Sequence, residues 1–420
     1  MKKFLSNYKS TIILLVAIIV GAIIGIIFKE KATILSPFGD LFLNLLLVII
    51  IPLIFLTITT SIAKMKQPKR IGKIMASIIG VFIITSLIAV LIGFASTYWI
   101  KLVNPEDTEA IKTSLEETVT EEESDEEELT IADRTVSLLT VDDFSELLSR
   151  KNIVALLIAS IIFGIALNMA KEKGKPVYDF LESANVVINN VLKIIMYYAP
   201  IGLGCYFAAL VGSFGSSIAV GYLKTFIVYT IISILFYIIV YTIYAFIAGG
   251  KKGVTVFWKN VLPSTLTALA TCSSAASIPV NMENTKKMGV SEDIAETTIP
   301  LGTSFHKDGS IIGSVFKIMF LVCLFGTSLS TPGEIMGVLG VALLANLLIT
   351  AVPIGGGTIS EMLIITMMGY PVAALPILTI IATIIDPQAT TLNVVGDMTS
   401  SMLVARTVDG KNWSKKGKEN

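Results

Sequence analysis

The sequence predicts an all-α integral membrane protein with eight transmembrane helices and two re-entrant helical hairpins. Of its 420 residues, 54% are hydrophobic and only 15% are charged, and the mean hydropathy of +0.79 is too high for a water-soluble protein of this length. The long Ile, Leu and Val runs show no alternation with polar residues, so they fit helices of about 20 residues rather than barrel strands.

Six apolar runs of spanning length come first. The connection after the third run is rich in glutamate and predicts a solvated extracellular loop, with attraction of cations as an alternative role. Basic residues cluster in the alternate connections, so the positive-inside rule places those connections and both termini in the cytoplasm. The runs are Thr11–Phe28, Leu41–Ala63, Ile74–Ile100, Asn152–Met169, Val186–Val211 and Tyr222–Ala248.

After Lys259 the apolar segments become too short to cross a membrane. Val261–Leu269 is interrupted by the polar residues Ser273–Ser277, and a second short segment ends near Met288, which indicates two half-helices joined by a polar tip. The same construction recurs in Val338–Thr350 and Met362–Met368, on either side of the glycine-rich tip Pro353–Thr358. The sequence therefore predicts two re-entrant hairpins.

Each hairpin precedes an apolar segment with a polar interruption. The first such segment is Ile311–Phe325, preceded by His306–Ser310, and the second is Ala373–Ile385, which leads into Asp386–Asp397. One full helix separates the hairpins, so the two units have opposite orientations in the membrane. Inverted repeats with broken helices are typical of secondary transporters, whose sites form near the bilayer midplane.

A polar stripe on the last helix is the candidate substrate site. Asp386, Asn393 and Asp397 are spaced by seven and four residues and share one helical face, with Ala389 close by. A carboxylate can bind an ammonium group and an amide can donate to a carboxylate, which is the minimum set for an α-amino acid. Ser273 and Ser274, at the start of a half-helix, add donors suited to an anion.

Several segments resemble the dicarboxylate/amino acid:cation symporters of the glutamate-transporter superfamily. The serine-rich tip is closest to the family's serine/threonine transporters, and the likeness covers nearly the whole chain. The segments are Ser273–Val280, Ile299–Gly302 with Asp308–Ser310, Asp386–Asp397, Val48–Phe55 and Met196–Gly202.

The resemblance implies a homotrimer in which a transport domain moves like an elevator against a scaffold, with the second hairpin as gate. Residues 1–103 would form helices 1 and 2 of the scaffold and helix 3 of the transport domain, and 104–150 the acidic loop. Residues 151–250 would form helices 4–6, of which 4 and 5 are scaffold, 251–410 the transport core and 411–420 a cytoplasmic tail.

The resemblance also implies roles for single residues. Asp386 would bind the substrate amino group and Asn393 its carboxylate, helped by the Ser274 backbone. The substrate-binding set is Ser273, Ser274, Ser310, Gly356, Gly357, Asp386, Ala389, Thr390 and Asn393. One sodium ion (Na+) would be bound by Gly302, Asn393 and Asp397 and another by Thr85, Ser86 and Asp308, with His306 beside them.

Two departures from the family pattern bear on substrate and coupling. Ala389 stands where members for acidic substrates have arginine, which favours a neutral amino acid over an acidic amino acid, a dicarboxylate or cystine. His306-Lys307 replaces Asn-Met, and we expect the Lys307 ammonium to replace one sodium ion, or a proton from Lys307 or His306 to take part in coupling. The alternative is that Lys307 faces a wet cavity and both sodium sites survive.

Three further features complete the sequence-based expectations. Lys317 and Glu361 are charged residues within apolar segments. Either they form an ion pair, or Lys317 alone lines the domain interface. A third sodium site of the family would lie near Asn346 and Ile349, and that site is in doubt. No nucleophile is paired with a base, so we expect a transporter, with an anion channel or receptor as the alternative class, and no enzyme. The expected partners are a small amino acid and the lipid of the cell membrane, and no nucleic acid.

Overall fold

The structure, a computed structural model, describes residues 9–63, 71–103, 140–149, 152–214, 216–347, 356–411 and 413–416. These ranges contain fourteen α-helices and no β-strand, which confirms the all-α prediction for the part of the chain described. The acidic residues 116–128, residues 348–355 with the start of the predicted tip Pro353–Thr358, and residues 412 and 417–420 of the predicted tail lie outside these residues.

The helices follow the predicted apolar runs closely. We label them α1 (Lys9–Phe28), α2 (Ser36–Ala63), α3 (Ile71–Thr97), α4 (Ile153–Ala170), α5 (Lys175–Phe214), α6 (Ser216–Leu235), α7 (Tyr241–Thr271), α8 (Ser274–Lys287), α9 (Glu292–Phe305), α10 (Asp308–Leu324), α11 (Pro332–Leu347), α12 (Gly356–Met368), α13 (Leu375–Asp409) and α14 (Trp413–Lys416). A π-helical turn, Phe236–Val240, joins α6 to α7.

Helices α1, α2, α4 and α5 pack into one group. Helix α5 contacts α1 and α2 along most of their lengths, and α2 also contacts α4. Helices α1 and α5 approach closely because both carry glycine at the crossing, where a Cβ on Gly21 would lie 2.2 Å from the Gly204 carbonyl oxygen. Close approach at small residues is the usual way that helices associate in a membrane.

The second group of helices surrounds α13. This helix contacts α3, α6, α7, α8, α9, α10 and α12, and 23 of its 31 residues from Leu375 to Ala405 are buried. Because α13 carries Asp386, Asn393 and Asp397, the polar stripe lies at the centre of this group.

The first hairpin consists of the second half of α7, then α8. Helix α7 is kinked at Gly249 and Gly250, whose backbone angles are not helical. The first arm then continues to Thr271, so it is longer than the predicted Val261–Leu269. The reason is that Lys251, Lys252 and Lys259, which precede that apolar stretch, are exposed and lie within the helix. Cys272 turns the chain in a left-handed conformation (φ 47°), and Ser273 caps α8 by accepting a hydrogen bond from Ala276 N at 3.2 Å.

The two predicted helix interruptions have different outcomes. Helices α9 and α10 are separated at His306 and Lys307, as the sequence predicts. Helix α13 instead runs unbroken through Pro387, so the prediction of a second interrupted helix is wrong. A proline in a helix removes one backbone hydrogen bond, and here the surrounding helices hold α13 together.

Three described stretches are long and apolar enough to cross a membrane, namely Lys73–Thr97, Ile218–Leu269 and Val372–Asp409. A fourth is a pair of helices, Ile158–Ile195 and Tyr197–Ser213, bent by 47° at the break between them. Large apolar side chains are exposed on these helices, including Ile162 at 62% and Val220 at 60%. Such a surface is suited to lipid rather than water, so the chain is a membrane protein, while the number of eight spans stays a prediction.

Candidate functional site

The start of α10 is held against α13 by Asn393. The Asn393 side-chain oxygen accepts hydrogen bonds from the backbone N–H groups of Gly309 and Ser310 at 3.0 and 3.2 Å, and its amide donates to Ser310 Oγ at 2.9 Å. An asparagine amide carries two hydrogens, so one is left to donate to a substrate carboxylate. Gly309 is required here, because a Cβ would lie 2.3 Å from the Ala389 carbonyl oxygen.

Asp386 lies two helical turns before Asn393 on the same helix. It is half-buried, and its Oδ1 accepts a hydrogen bond from Thr390 Oγ1 at 3.3 Å. The residue between them is the buried Ala389, whose methyl group carries no charge. The Gln388 amide donates to Thr230 on α6 at 2.9 Å, which directs it away from the stripe. Asp386 is therefore the carboxylate best placed to receive an ammonium group.

His306 lies at the break between α9 and α10 and joins the two remaining carboxylates of the site. Its Nδ1 is 3.1 Å from Asp397 Oδ1, and its Nε2 is 3.2 Å from Asp308 Oδ1 and 2.8 Å from Thr85 Oγ1. Ser400 Oγ is 3.4 Å from Nε2. The imidazole, with both carboxylates, is fully buried.

The hydrogen bonds around His306 indicate where its hydrogens lie. The Thr85 hydroxyl donates to the carbonyl oxygens of Val81 or Phe82, at 3.0 and 3.2 Å, so its oxygen accepts from Nε2–H. The Nδ1 contact with Asp397 then needs a second hydrogen, on the ring or on the carboxyl group, because two lone pairs facing each other would repel. An imidazolium ring would donate from Nδ1 to Asp397 and from Nε2 to Thr85, with Asp308 Oδ1 3.2 Å from Nε2 but not hydrogen-bonded.

Neighbouring residues are shaped to admit the imidazole ring. The ring stacks on Phe82 with centroids 4.6 Å apart, and a Cβ on Gly396 would lie 2.9 Å from His306 Cε1. Gly302 has the same function for Asp397, since a Cβ there would lie 2.3 Å from Asp397 Oδ1. These two glycines allow α9 and α13 to enclose the ring and its carboxylates.

The two sodium sites implied by the resemblance fit this geometry unequally. Thr85 and Asp308 come together as predicted, with His306 Nε2 next to both, while Ser86 Oγ and Asp308 Oδ1 are buried without a hydrogen-bond partner among the described residues. At the other site, Asn393 holds the start of α10, while Asp397 Oδ2 is buried and has no hydrogen-bond partner among the described residues. That oxygen, with Gly302 beside it, could still bind a cation.

Lys307 lies next to His306, and the structure places the His306 ring between Asp308 and Asp397. Lys307 itself is the cap residue of α10. Lys307 is half-buried and still interacts electrostatically with Asp397. Replacement of a bound cation by Lys307 therefore stays a prediction, with His306 as the nearer group.

Two tyrosines that the sequence did not single out support the site from the α6 and α7 side. Tyr229 donates to the Gly309 carbonyl at 2.8 Å. Tyr241 donates to the Leu392 carbonyl at 2.6 Å and lies 3.4 Å from Asp308 Oδ2. The signal that could have identified them is their position inside a continuous apolar run, where a hydroxyl group needs a partner.

A second buried polar cluster connects the second hairpin to α10 and α13. Lys317 Nζ is 3.2 Å from Glu361 Oε1, with 7% and 1% of the side chains exposed, and Thr379 donates to Glu361 Oε2 at 2.7 Å. Nearby, Asn346 donates to Ser314 Oγ at 2.8 Å. The structure thus shows the Lys317–Glu361 contact that the sequence left open, and Lys317 also interacts electrostatically with Asp386.

The hairpin residues of the predicted set lie at helix starts. Ser273 and Ser274, both half-buried, begin α8, and Asn281 further along α8 donates to the Val394 carbonyl of α13 at 2.9 Å. Gly356 and Gly357, which belong to the predicted tip Pro353–Thr358, begin α12 directly after the undescribed residues 348–355. Helix starts present free N–H groups, which suits a substrate carboxylate.

The sequence matches the model of the sodium:dicarboxylate symporter family over residues 11–407. A proton/sodium-glutamate symport protein of Bacillus caldotenax is 27% identical over 418 residues, covering 96% of this chain and 95% of that protein. A protein of the same description from Geobacillus stearothermophilus is 25% identical, with 96% and 95% covered. A C4-dicarboxylate transport protein of Paraburkholderia phymatum is 28% identical over 332 residues, with 79% and 77% covered.

The matched residues 11–407 include all of α13 up to Thr407 with its carboxylates, and the family consists of transporters rather than enzymes. The chain belongs to the sodium:dicarboxylate symporter family.

Proposed function

We propose that this chain is a cation-coupled symporter of a neutral amino acid. The observation that carries the substrate class is the charge of the buried site. Its charged groups are the carboxylates Asp308, Glu361, Asp386 and Asp397, the ammonium groups Lys307 and Lys317, and the imidazole His306. At ordinary ionisation the sum is −1 with an imidazolium ring and −2 with a neutral ring, and the tip 348–355 adds no charged residue.

A zwitterion leaves this charge unchanged, whereas a dicarboxylate would add two negative charges to a buried, already negative site. Uncompensated buried charge costs several kcal/mol by rough estimate. Ala389 supplies no guanidinium group, and the Lys317 ammonium is already paired with Glu361 at 3.2 Å. In this proposal Asp386 binds the substrate ammonium, while Asn393 and the N–H groups at Ser273 and Ser274 bind its carboxylate. Ser310, Thr390 and the Gly356-Gly357 backbone border its side chain.

The second candidate is an acidic amino acid or a C4-dicarboxylate, because the relatives carry those names. Cystine, a channel and a receptor are the remaining alternatives from the sequence. Counterflow in vesicles separates these readings, because a carrier exchanges labelled for unlabelled substrate and a channel does not. We expect labelled serine, threonine or alanine to exchange, and glutamate, aspartate, succinate and cystine not to compete. Competition by glutamate or succinate alone would overturn the neutral assignment.

The mechanism proposed is an elevator movement of the second helix group, α3 and α6 to α13, against α1, α2, α4 and α5 in a homotrimer, with both termini in the cytoplasm. The supporting observation is that the packing divides the helices into these two groups, with far more contact within each group than between them. Both groups carry exposed apolar side chains, and in this proposal those of α1, α2, α4 and α5 form the subunit contacts. Chemical crosslinking in native membranes tests the trimer, and a crosslinked species no larger than a monomer would contradict it.

Coupling is proposed to use sodium, protons or both, with fewer external cations than the two sodium sites of the resemblance would bind. The support is local. Asp397 Oδ2 is buried without a partner in the described chain and remains suited to a cation, while Asp308 contacts His306.

A further inference from the structure

We propose that the His306 side chain permanently fills the cation position between Thr85 and Asp308, so that this chain binds no sodium ion there. This inference adds detail to the cation coupling proposed above for the same site. Only the measurement with substrate, described last, depends on the proposed function.

The first support is that the ring is enclosed on all sides. Its face stacks on Phe82 of α3 at 4.6 Å, its Cε1 lies beside Gly396 of α13, and none of its surface is exposed. The side chain leaves this position only if α3 and α13 separate.

The second support is that the ring nitrogens lie next to the oxygens that a sodium ion would need, of which Asp308 Oδ1 has no hydrogen bond among the described residues. Thr85 Oγ1 and Asp308 Oδ1 lie 2.8 and 3.2 Å from Nε2, and Asp397 Oδ1 lies 3.1 Å from Nδ1. Hard cations are held by several oxygens that converge on the ion. An ion among these oxygens would overlap the ring and face its N–H hydrogens, so ring and ion exclude each other.

The third support is charge. Asp308 and Asp397 are both fully buried, and two buried carboxylates require a positive or hydrogen-donating partner. His306 lies between them with a nitrogen toward each. As an imidazolium, the ring would supply from within the chain the positive charge that a bound ion would otherwise supply. Asparagine, the residue at this position in the resemblance, is too short to fill the space and carries no charge.

The test measures the sodium response of the purified full-length protein, as the melting temperature in NaCl against choline chloride at constant ionic strength and without substrate. We expect the sodium-dependent rise in melting temperature to be larger in H306N than in the natural chain, and H306N/D308N to lose this gain. H306Q, which retains more side-chain volume, should gain less than H306N. The single variants D308N and T85V, which retain His306, should show the same sodium-dependent rise in melting temperature as the natural chain. In this proposal neither Asp308 nor Thr85 binds a sodium ion.

A second measurement uses substrate. The slope of log Kd for the transported amino acid against log sodium concentration should be steeper by about one in H306N than in the natural chain, because linkage adds one bound ion. If no neutral amino acid binds, the proposed substrate fails, while the measurement without substrate still decides the His306 proposal.

Two results would overturn the His306 proposal. The first is an H306N protein that folds and gains no sodium response. The second is a sodium response that is smaller in D308N or T85V than in the natural chain. If the position 306 variants do not fold, D308N and T85V decide alone. An unchanged response then supports the proposal and a reduced one overturns it.

Discussion

The buried ion pair between Lys317 and Glu361 allows a quantitative test of how the second hairpin is held to the rest of its helix group. Glu361→Gln removes the carboxylate charge and leaves the Lys317 ammonium, whose side chain is 7% exposed, beside a neutral amide. Removing one member of a buried pair costs about 3–5 kcal/mol. The double change Lys317→Met with Glu361→Leu removes both charges and should be nearly neutral, since Thr379 can still donate to the Leu375 carbonyl at 3.0 Å.

The assay is thermal unfolding of the purified protein in one detergent at one scan rate. An unfolding entropy of about 2.1 cal/mol/K per residue gives roughly 0.9 kcal/mol/K for a chain of 420 residues. Glu361→Gln should therefore lower the melting temperature by about 3–6 °C. The matched control is Glu296→Gln, which breaks an exposed ion pair with Lys286 at 2.9 Å and should change the melting temperature by about 1 °C or less.

Two outcomes would refute this reasoning. One is a Glu361→Gln protein that melts within 1 °C of the Glu296→Gln control. The other is a double variant as unstable as Glu361→Gln itself, because the loss would then come from packing at Glu361 rather than from an uncompensated Lys317 charge.

Three further predictions concern the site. Asp386→Asn should weaken amino acid binding about tenfold to a hundredfold in equilibrium dialysis, because the ammonium loses its charged partner, and unchanged flux into vesicles would contradict the proposed role. Lys307→Met should increase the dependence of uptake on external sodium, and an unchanged dependence on sodium and pH would end the Lys307 hypothesis. Gly302→Ala should cost about 1–3 kcal/mol of stability, because its Cβ would lie 2.3 Å from Asp397 Oδ1, whereas Gly80→Ala, with no atom within 4 Å, should cost nothing measurable by the same melt.

The sequence predicts the helices well because hydrocarbon length and apolar composition leave few alternatives. The break at His306–Lys307 could also be predicted, since charged residues interrupt the apolar pattern there. The unbroken helix through Pro387 could not, because the outcome depends on whether neighbouring helices hold the backbone on both sides, which is a tertiary property. The polar residues and proline of Asp386–Asp397 predict a break in the helix, and the sequence contains no sign that the helix continues through them.

The candidate site was predicted as a set of residues, while the contacts among them needed the structure. His306 and Lys307 are adjacent in sequence, and their order does not determine which side chain points between Asp308 and Asp397. The direction follows from the dihedral angles at the break and from the space beside Gly396 and Phe82. Tyr229 and Tyr241 were missed because a tyrosine in an apolar span is common and only its partner reveals its role.

A coupling site in which a side chain takes the place of a bound ion has an energetic consequence for transport. Each external cation that moves with the substrate adds about 2.3 kcal/mol per 100 mV of membrane potential to the driving force, plus the contribution of its concentration gradient. His306 remains attached to the chain and returns with it, so it contributes nothing to that sum. A chain in which His306 replaces one sodium ion should therefore concentrate its substrate less steeply than a member with an ion at that position. In exchange, its carboxylates stay neutralised when sodium is scarce, so binding at Asp386 can proceed at low external sodium.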